Sequence, residues 1–191
     1  MKKLLLLLSF VLFIFPFNGF GQKSALLLID IQNFYFPGGK LPLVEPEKAA
    51  QNAAKLLDWF RNEKFLVIHV RHNSEPGGTI NDIVKPLPGE NIFSKDAVSC
   101  FVGTNLLDYL KSNKIDTLVI CGMQTHMCVE AATRAASDYG FKCILIHDAC
   151  ATKDLKYGDR LIKAEDVHYS TLATLKNYAT VESTKEFLKE K

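Results

Sequence analysis

The sequence lacks an excess of charge of either sign. Its 191 residues include 23 Lys and Arg against 21 Asp and Glu, which gives a net charge of +2 at neutral pH. The basic residues are scattered along the chain, so no surface typical of nucleic-acid binding is indicated. Internal repeats and low-complexity linkers are also missing, and the length suits one domain with a sizeable core. We therefore expect a single domain with a small-molecule substrate and no nucleic-acid partner.

A cysteine is missing at the point where a lipoprotein signal would require one. The chain begins with MKK and continues with LLLLLSFVLFIF, an apolar run typical of a signal peptide and short for a membrane span. Gly19 and Gly21 are small residues at the −3 and −1 positions of a cut before Gln22. The pattern predicts a cleaved signal peptide over residues 1–21 and a periplasmic or secreted mature domain over residues 22–191, with no membrane attachment after cleavage. An uncleaved anchor and a buried helix are the alternatives.

Cysteines are few, and their number is odd. Cys100, Cys121, Cys128, Cys143 and Cys150 are the five in the mature chain, so at least one is unpaired even if export favours disulfides. Cys121 and Cys143 lie inside apolar runs, where we predict that they act as small core residues. The pairing of Cys100 and Cys150 is left open.

Short apolar runs alternate with segments of helical pattern. Such runs are typical of strands that are buried on both faces of a parallel sheet. The alternation predicts an α/β fold, a three-layer α/β/α sandwich with a mostly parallel sheet, in which ligands bind at the carboxyl edge of the strands. The predicted strands are 25–30, 65–70, 117–122, 142–148 and 179–183, and the predicted helices are 47–63, 104–113, 127–140 and 164–178.

Three polar residues are candidates for that edge. Asp30 ends the first strand, Lys95 lies in a predicted loop, and Cys128 follows the strand that ends at Gly122. Each has an ordinary explanation as a turn cap, a solvated lysine or a buried cysteine. Together they suit nucleophilic catalysis: a helix start and a nearby lysine favour a thiolate, and an aspartate accepts the thiol proton.

Three segments resemble the isochorismatase-like cysteine hydrolases, which include nicotinamidases and N-carbamoylsarcosine amidohydrolase. They are LLLIDIQNFYFPGGKLPL, FSKDAVSCFVGTNLLDYL and LVICGMQTHMCVEAATRAASDYGF. The resemblance implies a largely parallel sheet of five or six strands and a catalytic triad of Asp30, Lys95 and Cys128. It further implies an oxyanion hole of the backbone N–H groups of Gln124 and Cys128, a cis peptide between Met123 and Gln124, and a thioester intermediate. Relatives of this kind are often homo-oligomers, so a homo-oligomer is expected here by analogy.

The stretch HVRHNSEPGG departs from the nicotinamidase pattern. Nicotinamidases bind a divalent metal there through an Asp-x-His motif, whereas our alignment places His72 at the aspartate and Ser74 at the histidine. His69 and His72 are three residues apart and, on a strand, point to opposite faces. We therefore predict no metal and no cofactor, and nicotinamide becomes a less favoured substrate.

The substrate pocket is the least determined part of the sequence. Phe34, Tyr35, Phe36 and Phe101 flank the predicted cleft and either line it or belong to the core. His126 either lines the pocket or lies on the surface.

Two further polar residues are interpreted as structural, and three functions are compatible with the site. His168 is predicted to be structural, and Asp148 is predicted to end a strand and cap a turn. The favoured function is an exported cysteine hydrolase that cleaves a small amide, ureido or carbamoyl compound. The alternatives are a hydrolase of a non-amide bond, as in isochorismatases, and a binding protein on an inactive scaffold.

Overall fold

The computed structural model describes residues 24–189, and the predicted signal peptide lies outside them. A six-stranded sheet has the order β3-β2-β1-β4-β5-β8, and every neighbouring pair in it is parallel. The predicted α/β fold and mostly parallel sheet are thereby confirmed. The sheet strands are β1 (Ser24–Ile29), β2 (Leu66–His72), β3 (Asn91–Lys95), β4 (Thr117–Met123), β5 (Lys142–Ala151) and β8 (Thr180–Glu182), and β6 (Leu155–Tyr157) pairs with β7 (Arg160–Ile162) in an antiparallel hairpin.

Helices cover the sheet and connect its strands. They are α1 (Pro46–Asn62), α2 (Leu106–Ser112), α3 (Glu130–Asp138), α4 (Ala164–Leu175) and α5 (Thr184–Lys189). Within the described residues, no helix is long and apolar enough to cross a membrane.

The two central strands lie at the middle of the core. All residues of β1 and β4 are buried, as expected for strands that have neighbours on both sides and helices on both faces. Helix α1 starts with Pro46, which fits a first helical position because no intrahelical N–H bond is needed there. Its buried residues Ala49, Ala53, Leu56 and Phe60 recur every three or four positions and form one face against the sheet.

The strand predictions failed mainly at the edges and ends of the sheet. Lys95 was expected in a loop but is the last residue of β3, a short edge strand in which three of the five residues are polar. Strand β2 continues through His72, whereas the apolar run ends at Val70. Asp148 lies inside β5 and does not end it. These segments carry polar residues at the carboxyl edge of the sheet. A prediction based on apolar runs therefore misses them.

The carboxyl ends of β1 and β4 approach each other unusually closely. Asp30 follows β1 with a positive φ of 50°, which turns the chain out of the sheet. Gly122 has a φ of 130°, and a Cβ at this position would be 2.0 Å from the carbonyl oxygen of Ile29. Only glycine fits there, because a side chain would push the two strand ends apart. Asp30 and the segment after β4 are therefore held side by side.

Candidate active site

The three residues that the sequence singles out are in contact at the carboxyl edge of the sheet. Lys95 Nζ lies 2.8 Å from Asp30 Oδ2 and 3.2 Å from Cys128 Sγ. Asp30 is 0 %, Lys95 1 % and Cys128 6 % exposed. A carboxylate, an ammonium and a thiol therefore share one buried space, although they come from the ends of three different segments of chain.

The ammonium of Lys95 makes three hydrogen bonds in addition to its ion pair with Asp30. Besides Asp30 and Cys128, it lies 3.1 Å from the carbonyl oxygen of Ala97 and 3.2 Å from His72 Nδ1. An ammonium group donates at most three hydrogen bonds, and Ala97, His72 and Cys128 accept them, whereas Asp30 is held as an ion pair. His72 is thus a fourth member of the cluster, although the sequence suggested it only as a replaced metal ligand.

Cys128 lies in a wide turn of π-helical type, Thr125–Val129, which connects β4 to α3. The peptide bond between Met123 and Gln124 is cis, as the resemblance implies. The prediction that Cys128 starts the helix is wrong by about one turn, because regular α-helix begins only at Glu130. Such π-type turns interrupt helices mainly where a side chain must be placed for function.

The electrostatics of the thiol differ from the sequence-based expectation. Burial and the neighbouring Asp30 raise the pKa of the Cys128 thiol to about 12, against an opposing effect of Lys95. Burial likewise raises the pKa of Asp30, although Lys95 and Cys128 oppose this shift. Burial lowers the pKa of Lys95, but the interactions with Asp30 and Cys128 together outweigh it, so the pKa is raised and the lysine stays charged. A stable resting thiolate is therefore not favoured, and Asp30 is a stronger base than an exposed aspartate.

A second pair of polar side chains lies beside this cluster. Gln124 Nε2 donates to the hydroxyl of Tyr35 at 3.3 Å, and both residues are buried. Burial raises the pKa of Tyr35, with smaller contributions from Cys128 and Asp30, so its phenol stays neutral. Gln124 Oε1 is buried and has no hydrogen-bond partner among the described residues.

The other predicted pocket residues lie in several different environments. Phe34 and Phe36 belong to the buried core, and Phe101 is also buried, with its ring 5.3 Å from that of Tyr139. His126 is partly exposed, and its Nδ1 lies 2.6 Å from Thr152 Oγ1. These contacts explain the burial of the aromatic residues by core packing, and their role in substrate binding stays a prediction.

Two residues interpreted as structural have structural contacts. His168 Nδ1 lies 2.9 Å from Thr125 Oγ1, and burial lowers the pKa of His168 to about 4, so the ring is neutral. Asp148 Oδ1 accepts hydrogen bonds from the backbone N–H and the hydroxyl of Thr184, each at 2.7 Å. Asp148 therefore caps the start of α5, the capping role that was expected for it, but from within a strand.

Gln32 is a residue of the site that the sequence did not indicate. Its side chain is fully buried, accepts from the backbone N–H of His72 at 2.8 Å, and donates to the carbonyl of His72 at 2.9 Å. The amide thus acts like one more residue of β1 and extends the β1–β2 ladder beyond Asp30. A glutamine two residues after a strand is too common a pattern to predict this contact.

His69 belongs to a different group of charged residues on the other side of β2. Its Nε2 lies 3.0 Å from Glu90 Oε2, and Glu90 also pairs with Arg61 at 2.7 Å. His69 and His72 therefore point to opposite faces of the strand, as predicted. Among residues 24–189 no three His, Cys, Asp or Glu side chains converge in a way suited to a metal ion.

A cavity of about 460 Å³ lies near the turn Thr125–Val129 but is not lined by the polar cluster of Lys95 and its partners. Lys48, His147, Thr152, His168 and Tyr169 are among its lining residues, whereas Asp30, Lys95 and Cys128 are not. The strand order places this cavity on the β5 side of β4, and Asp30 and Lys95 lie on the β1 side. We take the polar cluster as the candidate site, since it contains Cys128, the predicted nucleophile.

Comparison with known proteins agrees with this geometry. The isochorismatase domain model matches residues 24–186. The chain belongs to the isochorismatase family. It is 45 % identical to the isochorismatase family protein YddQ of Bacillus subtilis, over 88 % of this chain and 100 % of that protein.

Two further members of the isochorismatase family refine the comparison. Maleamate amidohydrolase of Pseudomonas putida is 30 % identical, over 74 % of this chain and 84 % of the enzyme. The crystal structure of an isochorismatase hydrolase from Oleispira antarctica superposes with a TM-score of 0.83 at 41 % identity, over 87 % of this chain and 96 % of that one. The chain is therefore an isochorismatase-family hydrolase, and amidases are among its relatives.

Proposed function

We propose that the protein is an exported cysteine hydrolase that cleaves a small amide, ureido or carbamoyl compound through a thioester on Cys128. The observation that carries the proposal is the contact of Lys95 Nζ with both Asp30 Oδ2 and Cys128 Sγ in a buried site. A thiol next to a base of raised pKa suits acyl transfer, because the proton has an acceptor when the sulfur attacks. The similarity to maleamate amidohydrolase supports an amide as the bond that is cleaved.

The proposed first half of the reaction begins with a neutral thiol and an ionised Asp30. Asp30 accepts the thiol proton, and the sulfur attacks the carbonyl carbon to form a C–S bond. The resulting oxyanion is held by the backbone N–H groups of Gln124 and Cys128, and a donor of this kind is worth about 3–4 kcal/mol of barrier. The protonated Asp30 then transfers the same proton to the leaving nitrogen as the C–N bond breaks, which leaves a thioester and a released amine.

The second half returns the enzyme to its starting state. Asp30 accepts a proton from water while the hydroxide equivalent attacks the thioester carbonyl. Collapse of this second intermediate breaks the C–S bond, and the sulfur regains a proton from Asp30. Lys95 is charged in the resting site, because the attraction of Asp30 and Cys128 raises its pKa. One water is consumed for each carbonyl compound cleaved, and no external redox partner is required.

The decisive test is ammonia release from a panel of small primary amides, ureido acids and carbamates. We expect at least one compound to be hydrolysed, and Cys128→Ala to reduce turnover by about 10³-fold or more, because residues that act as one catalytic unit fail together. Cys143→Ala is the matched control, since Cys143 is also a buried free cysteine but lies away from Asp30 and Lys95. Full activity of Cys128→Ala on the best substrate would rule out the covalent mechanism and favour a water nucleophile.

Export is a separate part of the proposal and has its own test. The full-length gene, expressed in a host with a Sec pathway, should give mature protein that lacks roughly twenty residues, the usual length of a signal peptide. Intact-mass measurement of the periplasmic or secreted fraction gives the cleavage site directly. A full-length mass in the soluble cytosolic fraction would contradict export and leave the hydrolase proposal untouched.

A further inference from the structure

The buried side chain of Gln124 has a partner at only one end of its amide. Gln124 is 4 % exposed, and its Nε2 donates to the hydroxyl of Tyr35 at 3.3 Å. Its Oε1 is buried but accepts no hydrogen bond from any residue of the segment 24–189. A buried polar atom without a partner is uncommon, because the loss of its water is not compensated. A ligand that donates to Oε1 would supply the missing hydrogen bond.

The register of the central strands places this amide beside the base of the proposed mechanism. Ile29 and Gly122 are partners at the carboxyl ends of β1 and β4. Asp30 follows Ile29 by one residue and Gln124 follows Gly122 by two, so both leave the sheet at the same edge. Burial raises the pKa of Tyr35, and Asp30 adds to this increase, so its carboxylate lies within electrostatic range of the phenol that holds Gln124.

The unpaired buried atoms at this edge are acceptors. Over residues 24–189, four buried side-chain nitrogen or oxygen atoms lack a hydrogen bond, and three of them are Gln124 Oε1 and the two carboxylate oxygens of Asp30. Asp30 is held by its ion pair with Lys95. A ligand suited to this space presents hydrogen-bond donors to more than one acceptor. The –NH₂ of a primary amide or ureido group has two N–H donors, whereas an ester or ether has none at the corresponding position.

We propose that Gln124 Oε1 is the specificity-determining acceptor of the site, which accepts an N–H of the leaving nitrogen and so selects primary amide and ureido groups over esters and ethers. Tyr35 is then a positioning residue that holds the Gln124 amide through Nε2. The inference rests on the proposed function and names the kind of carbonyl compound that the site prefers.

The same hydrogen bond directs the proton that Asp30 delivers. When the sulfur attacks the carbonyl carbon, the amide nitrogen becomes pyramidal and gains a lone pair. An N–H held by Gln124 Oε1 turns this lone pair towards Asp30, which transfers its proton to the nitrogen as the C–N bond breaks. An ester has no N–H through which Gln124 can act, so the effect is confined to amides.

Gln124→Met tests this role. Methionine has nearly the same length and shape as glutamine but no amide oxygen, and the backbone N–H of the proposed oxyanion hole is kept. Gln51→Met is the matched control, because Gln51 is an exposed residue of α1. The measurement is kcat/KM for the best primary amide of the panel and for the methyl ester of the same acid. Comparing the amide-to-ester ratio between proteins cancels the different intrinsic reactivities of the two compounds.

We expect Gln124→Met to lower the amide-to-ester ratio about tenfold or more, since a buried acceptor for a substrate N–H discriminates against compounds that lack it. Tyr35→Phe should lower the ratio in the same direction by about threefold, because Nε2 then loses its acceptor. Gln51→Met should leave the ratio unchanged. An equal loss for amide and ester in Gln124→Met would mean that the side chain serves the shared carbonyl group or only packing, and would overturn the proposal, as would an unchanged ratio.

A second measurement needs no hydrolysis. Iodoacetamide carries a primary amide, and iodoacetone has a methyl group of similar size in place of the –NH₂. Peptide mass analysis gives the alkylation rate at Cys128 for each reagent, and division by the rate with glutathione removes the reactivity of the reagent itself. We expect wild type to favour iodoacetamide about tenfold on this scale and Gln124→Met to lose the preference.

The two measurements separate the specificity role from the proposed function. If a compound is hydrolysed while the amide-to-ester ratio is the same in wild type and Gln124→Met, the proposed function stands and the specificity role fails. If no compound is hydrolysed, the alkylation rates decide alone. A preference for iodoacetamide that Gln124→Met abolishes would then support the specificity role without the proposed function, and its absence would overturn both.

Discussion

Two groups of charged residues on opposite faces of β2 behave in opposite ways. The Asp30 cluster consists of Asp30, His72, Lys95 and Cys128, and the Glu90 cluster consists of Arg61, His69 and Glu90. Burial keeps the pKa of Asp30 above its ordinary value. Burial also acts to raise the pKa of Glu90, yet hydrogen bonds, mainly from Arg61 and Leu87, bring it down to about 2.

The difference between the two clusters lies in the number of donors around the carboxylate. Glu90 accepts two hydrogen bonds from Arg61, one from the backbone of Leu87, and contacts His69 Nε2. Asp30 has one ammonium partner, which it shares with three other acceptors. A carboxylate saturated by donors is a stable anion, whereas one with few donors is a base. With the proposed role of Asp30, the fold thereby separates a structural charge from a reactive one.

Removal of the base should have the largest effect. Asp30→Asn should reduce turnover about 10³-fold or more, because the thiol loses its proton acceptor. The substitution also leaves the buried Lys95 without its counter-charge, which should lower the free energy of unfolding by about 3 kcal/mol. Steady-state kinetics and denaturant unfolding measure the two effects.

The double variant Asp30→Asn/Lys95→Met separates charge balance from chemistry. It should regain most of the lost stability, because no unpaired charge is left, and it should stay inactive. Recovery of activity in the double variant would show that neither residue takes part in the reaction.

Removal of the structural charge should affect stability and not catalysis. Glu90→Gln should lower the free energy of unfolding by about 2 kcal/mol, since hydrogen bonds to a mostly buried charged group are lost while Arg61 stays partly solvated. Turnover of the folded fraction should stay within about threefold of wild type, because Glu90 lies on the opposite face of β2 from the site. A loss of kcat as large as that of Asp30→Asn would contradict the separation of the two clusters.

The pH dependence of stability should distinguish the clusters more finely. The pKa of Glu90 in the folded state is about 2, below its ordinary value of 4.5, so its contribution is fully present above about pH 4.5 and is lost as the pH falls towards 2. Denaturant midpoints measured across this range should fall less steeply for Glu90→Gln than for wild type. Parallel curves for the two proteins would mean that Glu90 is not specially stabilised as an anion.

The smallest expected effect is that of a chelator, which should leave the activity unchanged. His69 and His72 point to opposite faces of β2 and contact Glu90 and Lys95, respectively, so they cannot share one ion. We expect activity to survive dialysis against a chelator and to be abolished by a thiol alkylator. About one zinc, iron or manganese per chain, with activity lost on chelation and restored by that ion, would contradict this prediction.

The sequence predicted the parts of the fold that depend on apolar periodicity. Strands β1, β4 and most of β5 are continuous apolar runs, and α1 has a regular apolar face, so both kinds of element were predicted correctly. Strand β3 was missed because it is a short edge strand in which three of the five residues are polar, and β2 was cut short because Arg71 and His72 are polar. The missed segments are those that bring Lys95 and His72 to the site, since functional residues interrupt the apolar pattern on which strand prediction relies.

The sequence predicted the three central residues of the site, but not the contacts and pKa shifts that depend on the folded geometry. The resemblance singled out Asp30, Lys95 and Cys128, and the structure brings them into contact. The bidentate hold of Gln32 on His72 could not be predicted, because it depends on the turn that Asp30 makes with a positive φ. The raised pKa of Cys128 could not be predicted either, because the sequence shows the neighbouring charges but not the depth of burial that outweighs them.

All five cysteines are free and buried, and this has a consequence for the life of the protein under oxidising conditions. A buried thiol meets peroxides or disulfide reagents only when the surrounding structure opens, so damage is limited by the frequency of opening events and not by intrinsic thiol reactivity. Cys121, Cys143 and Cys150 lie in strands of the sheet, whereas Cys100 and Cys128 lie in turns. Oxidation should therefore reach Cys128 through local fluctuations of its turn, before the three thiols of the strands react through global unfolding, and loss of activity would precede loss of fold.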